Sequence, residues 1–111
     1  MSDINALAVS KGISDGVLRI VVTGEIDAIA EKEFVAHVLD AIQATDAERI
    51  VLDLDGVTFI DSWGLRLLLK GRRQADTRRV LLTLMISPDS PVARLLEVAG
   101  VREMFAYELA D

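Results

Sequence analysis

Asp61-Ser62-Trp63-Gly64 is the stretch of this chain with the most chemical potential. Aspartate and serine both cap helix N-termini, where free backbone N–H groups and the helix dipole favour negative charge. A serine hydroxyl in that place has two readings. It can accept from the orphan amides as a plain cap. It can also carry a phosphate, which adds about -1.5 to -2 charges at neutral pH. Asp61 beside it and Asp27 across the loop would then repel that charge, and an interface fitted to the neutral surface would lose its match.

Other reactive residue types are scattered. Asp53, Asp55 and Asp61 are carboxylates of the kind that hold Mg²⁺, but only the first two stand at strand spacing, so no dedicated metal site is expected. His37 is the sole histidine and follows Glu33 by four residues on a polar helix face, which makes it a surface group rather than a base or ligand. No partner motif builds a Ser-His-acid triad around it. Gly56 and Gly64 are isolated, so there is no glycine-rich phosphate loop. With no cysteine, thiol catalysis, disulfides and thiolate metal sites are excluded. No cofactor is expected.

Basic charge is concentrated. Six of the 12 Lys and Arg residues fall between Arg66 and Arg79, offset there only by Asp76. Arg66, Lys70 and Arg73 recur at helical spacing and form one stripe, either a solvated face or a footprint for an acidic partner. Trp63 is either a core residue packed beneath the helix or an outward-projecting interface anchor; its place roughly opposite Leu65, Leu68 and Leu69 favours the second.

These residues need a scaffold, and the hydrophobic periods alternate between two and 3.6. A weak edge strand is expected over 5–10, a turn over 11–16 and a strand over 17–23 broken by Gly24. Residues 28–43 read as a helix, with Phe34, Val38, Ala41 and Ile42 on one stripe, widened by Val35 and Leu39, and Asp27 as its start signal. The nearly continuous apolar run 50–54 suggests a central strand covered on both faces, followed by an Asp55-Gly56 turn. A second helix spans about 62–74, and a strand 80–86. Ser90 then caps a short helix over 92–99 with Pro91 at its first position, and Gly100 closes it before a last strand over 104–109. The order β-β-α-β-α-β-α-β predicts an α/β fold with a mixed central sheet and helices packed on it. In such sheets functional loops gather at the carboxyl ends of strands, here 24–27 and 55–62.

The 111 residues make one domain, 1–111, and 51% hydrophobic content fills a core. A net charge of -6 disfavours nucleic acid as a partner. Neither a signal peptide nor an apolar run long enough for a bilayer is seen, so a soluble, cytoplasmic protein is expected.

Several segments in order resemble one family. Val22-Thr23-Gly24-Glu25-Ile26-Asp27 resembles the loop after the second strand of STAS-domain anti-sigma factor antagonists. Ile50-Val51-Leu52-Asp53-Leu54 and then Phe59-Ile60-Asp61-Ser62-Trp63-Gly64-Leu65 are similar to the family's central strand and signature loop. Ile86-Ser87-Pro88 and the segment from Val92 to Val101 are similar to its third-helix region. The resemblance implies a STAS fold and a non-enzymatic binding module. It implies a partner that is both anti-sigma factor and serine kinase of the GHKL type, bound when the module is unmodified and released on phosphorylation. Ser62 stands at the phosphoacceptor position. Asp27, Asp61, Trp63, Gly64, Arg66, Lys70 and Arg73 fall in the region of partner contact. A homodimer is left open. Two departures stand out: Trp63 where a small residue commonly follows the phosphoacceptor, and Thr77-Arg78-Arg79 where a glycine is usual. Trp63 favours the alternative of a non-phosphorylated STAS subunit of an ABC transporter or a stressosome-like sensory assembly. A hydrolase acting through Ser62 lacks a base and oxyanion machinery.

Overall fold

A computed structural model describes residues 6–109. Strand β1 (Ala8–Ser14) and strand β2 (Val17–Ile26) form an antiparallel hairpin. Its turn is the dipeptide Asp15-Gly16, both at positive φ (53° and 77°), the type I′ geometry that matches the twist of two strands. The turn expected over 11–16 therefore shrinks to two residues, because pairing with β2 keeps Lys11 to Ser14 extended. Asn5, at the start of the expected first strand, lies outside the described residues.

Helix α1 covers 31–44 and changes pitch along its length: α-helical at Glu31–Phe34, π-helical at Val35–Leu39, α-helical again at Asp40–Ala44. It starts three residues later than the expected 28, since residues 27–30 fold into a turn of their own. Phe34, Val38, Leu39 and Ile42 are buried, and Val35 and Ala41 flank them.

Strand β3 (Arg49–Ile60) runs twice as far as the apolar run suggests. Asp55-Gly56 is not a turn. It lies inside the strand, where the register against β2 slips between the pairs Val21↔Asp53 and Thr23↔Gly56. Gly56 is required there, because a Cβ would stand 2.6 Å from the Thr23 Cγ2. Gly24 likewise bends β2 (φ 92°) without ending it. Both glycines mark bulges that the ladder absorbs.

Helix α2 (Ser62–Arg78) leads to strand β4 (Leu81–Ile86), helix α3 (Pro91–Val98), a 3₁₀ turn (Arg102–Met104) and strand β5 (Ala106–Leu109). The 3₁₀ turn takes Met104 out of the expected last strand. Ser90 caps α3, its hydroxyl accepting from the Ala93 N–H at 3.1 Å, with Pro91 at the first helical position.

The sheet order is β1-β2-β3-β4-β5, with β2 to β5 parallel. Each crossover steps one strand in the same direction, so right-handed connections put all three helices on one face. Burial agrees: in β2, Leu18, Ile20, Val22, Gly24 and Ile26 are buried and their neighbours are not. Ile50, Leu52, Leu54, Leu82, Leu84 and Ile86 join the same core beneath the helices. The run 50–54 is covered on both faces, as expected of a central strand, but the helices lie on only one of them. Val51, 1% exposed on the far face, sits in register with Arg19 and Thr83 and lies outside that core. The Arg19 guanidinium spans that face, 3.4 Å from Asp53 and 3.1 Å from the Met85 sulfur.

Helix α2 outruns the expected end at 74 and closes on Arg79 in the left-handed region (φ 60°). The Arg79 and Val80 N–H groups donate to the Asp76 and Ala75 carbonyls at 3.0 and 2.9 Å, a Schellman-type closure usually built on glycine. Arginine costs energy there, so Arg79→Gly is expected to raise stability by about 1 kcal/mol in denaturant unfolding. A loss of stability on that change would contradict the assigned cap.

Candidate functional site

Residues 27–31 and the β3–α2 junction meet at the carboxyl end of the parallel strands. Gly64 makes the approach close: a Cβ on it would lie 2.3 Å from the Ile26 carbonyl oxygen and 2.7 Å from Ile60 Cγ1. Gly64, expected among the contact residues, is thus buried and acts by seating the first turn of α2 on the end of β2.

Asp61 is the cap of α2. Its backbone is extended (φ -116°, ψ -171°) and its carboxylate accepts from the Gly64 N–H at 3.0 Å. Ser62 is the first residue of the helix and is exposed. The capping role that could have explained Ser62 is therefore filled by its neighbour, and the hydroxyl stands at a helix N-terminus facing solvent. Asp27 binds its own loop, its carboxylate accepting from the Ala30 N–H at 3.0 Å. It closes the turn before α1 rather than capping that helix.

Trp63 is 40% exposed, and its orientation is set from two sides. The indole N–H donates to the Glu31 carboxylate on α1 at 2.7 Å, and the Arg66 guanidinium carbon lies 4.9 Å from the ring centroid. A hydrogen bond to a charged acceptor and a cation–π contact hold the ring half out of the surface. Glu31, Trp63, Arg66, Leu69, Lys70 and Arg73 line a shallow groove between α1 and α2. Arg66, Lys70 and Arg73 are all exposed along it. The buried side of α2 carries Leu65, Leu67, Leu68, Gly71 and Ala75; Leu69, expected in that stripe, is half-buried and Leu67 takes its place.

The rest of the basic cluster is employed in the scaffold. The Arg72 guanidinium lies 3.4 Å from Asp76, and Arg78 donates to the Ile42 and Thr45 carbonyls at the end of α1 at 2.9 and 2.6 Å. The carboxylates weighed for metal binding have similar tasks. Asp53 accepts from the Asp55 N–H at 3.1 Å, and Asp55 accepts from the Ser87 N–H and hydroxyl at 3.1 and 2.5 Å. His37 faces outward and lies 3.4 Å from Glu33.

Sequence reasoning missed Glu31, Ile29 and Phe59. Nothing local to Glu31 signals a contact 32 residues away. Ile29 is 93% exposed two residues before Glu31, and Phe59 is 46% exposed two residues before Asp61. Ile29 stands in the turn that leads to Glu31, whereas Phe59, in register with Glu25, lies on the sheet face away from the helices. The half-exposed Trp63 with the basic stripe gives the groove the mixed character of a protein-binding surface.

A family model for the STAS domain matches residues 8–111. The chain belongs to the STAS domain family. Solved structures share its fold at low identity. An anti-sigma factor antagonist from Mycobacterium paratuberculosis has a TM-score of 0.76 and 21% identity, over 96% of this chain and 89% of that one. The Bacillus cell fate determinant SpoIIAA in its phosphorylated form has a TM-score of 0.69 and 20% identity, over 96% and 92%. A sulfate transporter family protein from Wolinella succinogenes has a TM-score of 0.65 and 21% identity, over 91% and 84%. The mixed sheet with helices on it is therefore a STAS fold. Among the described residues no helix is long and apolar enough to cross a membrane.

Proposed function

We propose that this STAS domain is an anti-sigma factor antagonist, a non-enzymatic cytoplasmic module whose binding is switched at Ser62. The observation that carries the reading is the division of labour at the start of α2: Asp61 caps the helix and leaves the Ser62 hydroxyl exposed. A phosphate there sits at amides that favour it, so the fold tolerates it, while the surface becomes strongly anionic. The partner is an anti-sigma factor that is also a GHKL-type serine kinase. It presents an apolar pocket to Trp63 and acidic groups to Arg66, Lys70 and Arg73, with Asp61 and Asp27 at the edge of the contact. Added salt weakens such a complex.

Incubation with the cognate kinase and ATP, followed by intact-mass measurement, tests the modification. Wild type gains one phosphate and Ser62→Ala gains none; no added phosphate on wild type contradicts the reading. Trp63 beside the acceptor supports a second reading, a non-phosphorylated STAS subunit of a transporter or sensory assembly. Under that reading Ser62→Asp leaves partner capture unchanged.

A further inference from the structure

Ser62 and Arg66 are four residues apart on α2, so they project from the same side, one turn from each other. In the unmodified protein the Arg66 guanidinium rests over the Trp63 ring. Among the described residues no carboxylate lies within ion-pair distance of it. A cation–π contact between exposed groups is weak, whereas a guanidinium paired with a phosphate is short, charge-assisted and often bidentate. Asp61, committed to the Gly64 amide just before Ser62, repels a phosphate from its own side and leaves the direction of Arg66 favoured.

We propose that Arg66 reads the modification: a phosphate on Ser62 draws the Arg66 guanidinium off the Trp63 ring and onto itself. This rests on Ser62 being a phosphoacceptor. In that step the terminal phosphoryl group of ATP passes to the Ser62 oxygen, ADP leaves and the hydroxyl proton goes to the kinase's base. The phosphate then acts twice on the contact surface. It adds negative charge, and it removes the first member of the basic stripe while baring one face of the Trp63 anchor. Arg66 cannot serve an acidic partner and the phosphate at once, so binding and modification compete for one side chain. Glu31 continues to hold the edge of the ring, so the backbone need not move.

Trp63 is the only tryptophan, so fluorescence excited beyond tyrosine absorption reports on the surroundings of this one ring, and the Arg66→Gln background isolates the guanidinium's part in it. The test compares full-length protein carrying serine or phosphoserine at position 62, the latter installed during synthesis, in wild-type and Arg66→Gln backgrounds. In wild type, phosphoserine is expected to raise acrylamide quenching of Trp63, and the change should follow the second phosphate ionisation near pH ~6. In Arg66→Gln, quenching is high in both forms and insensitive to the phosphate. By ³¹P NMR the phosphate titrates at lower pH in wild type than in Arg66→Gln, since the guanidinium favours the dianion. No phosphate-dependent change in wild type, an equal change in Arg66→Gln, or one shared titration midpoint would each overturn the proposal. Because synthesis installs the phosphate, a kinase that leaves Ser62 untouched counts against the phosphoacceptor reading alone.

Discussion

Replacing Gly64 with alanine is expected to destabilise the protein by about 3 kcal/mol, at the upper end of what forced overpacking costs. In an ordinary helix the same change gains up to ~1 kcal/mol, because alanine is the better helix former. Here the new methyl would lie 2.3 Å from a backbone oxygen of β2 and 2.7 Å from Ile60 Cγ1. A carbonyl in a strand cannot swing aside as a side-chain tip can, so α2 must lift from the sheet and carry Ser62 with it. Gly71 on the same helix is the internal control. Its added Cβ would meet Ile42 Cδ1 and Leu39 Cδ2 at 3.4 Å, tight contacts with flexible side-chain ends. Gly71→Ala is therefore expected to change stability by less than ~1 kcal/mol in either direction. Denaturant unfolding of both variants checks the contrast. Equal stability of the two would mean that α2 is not seated on β2 through Gly64.

Trp63→Ala is expected to weaken partner binding about thirtyfold or more, the scale of a hot-spot tryptophan, while lowering stability by only about 1 kcal/mol. The ring is 40% exposed, so its folding contribution comes mainly from the Glu31 hydrogen bond and the Arg66 contact. Those same contacts hold it in place before a partner arrives, which lowers the ordering cost of binding. Titration calorimetry for affinity and thermal unfolding for stability separate the two effects. A large loss of stability with unchanged affinity would make Trp63 a packing residue instead of an anchor.

The parts of this fold that were legible in the sequence are those set by local chemistry. The apolar stripe of α1, the Ser90-Pro91 start of α3 and the acidic start of α2 each follow from residue types at short spacing. Misreadings arose where pairing overrode a local signal. Asp55-Gly56 and Gly24 carry turn chemistry, yet the β2–β3 ladder holds both in strand as bulges. Residues 11–14 look like a loop until β2 pairs with them. At the site, Ser62 and Trp63 could be found because their neighbours define a helix start. The Glu31 clamp and the Arg78 tie to α1 join residues more than thirty positions apart, which no window of sequence reveals. Arg79 at a left-handed cap was hidden for a different reason: the residue that normally announces that geometry is glycine.

The proposed switch at Ser62 would link the Asp61 cap, the Trp63 ring and the basic stripe. It is tested most directly by titrating the anti-sigma factor kinase with protein bearing serine and protein bearing phosphoserine at position 62. The unmodified form should bind at least about a hundredfold more tightly, since a desolvated like-charge contact costs several kcal/mol. Equal affinity of the two forms would contradict the account.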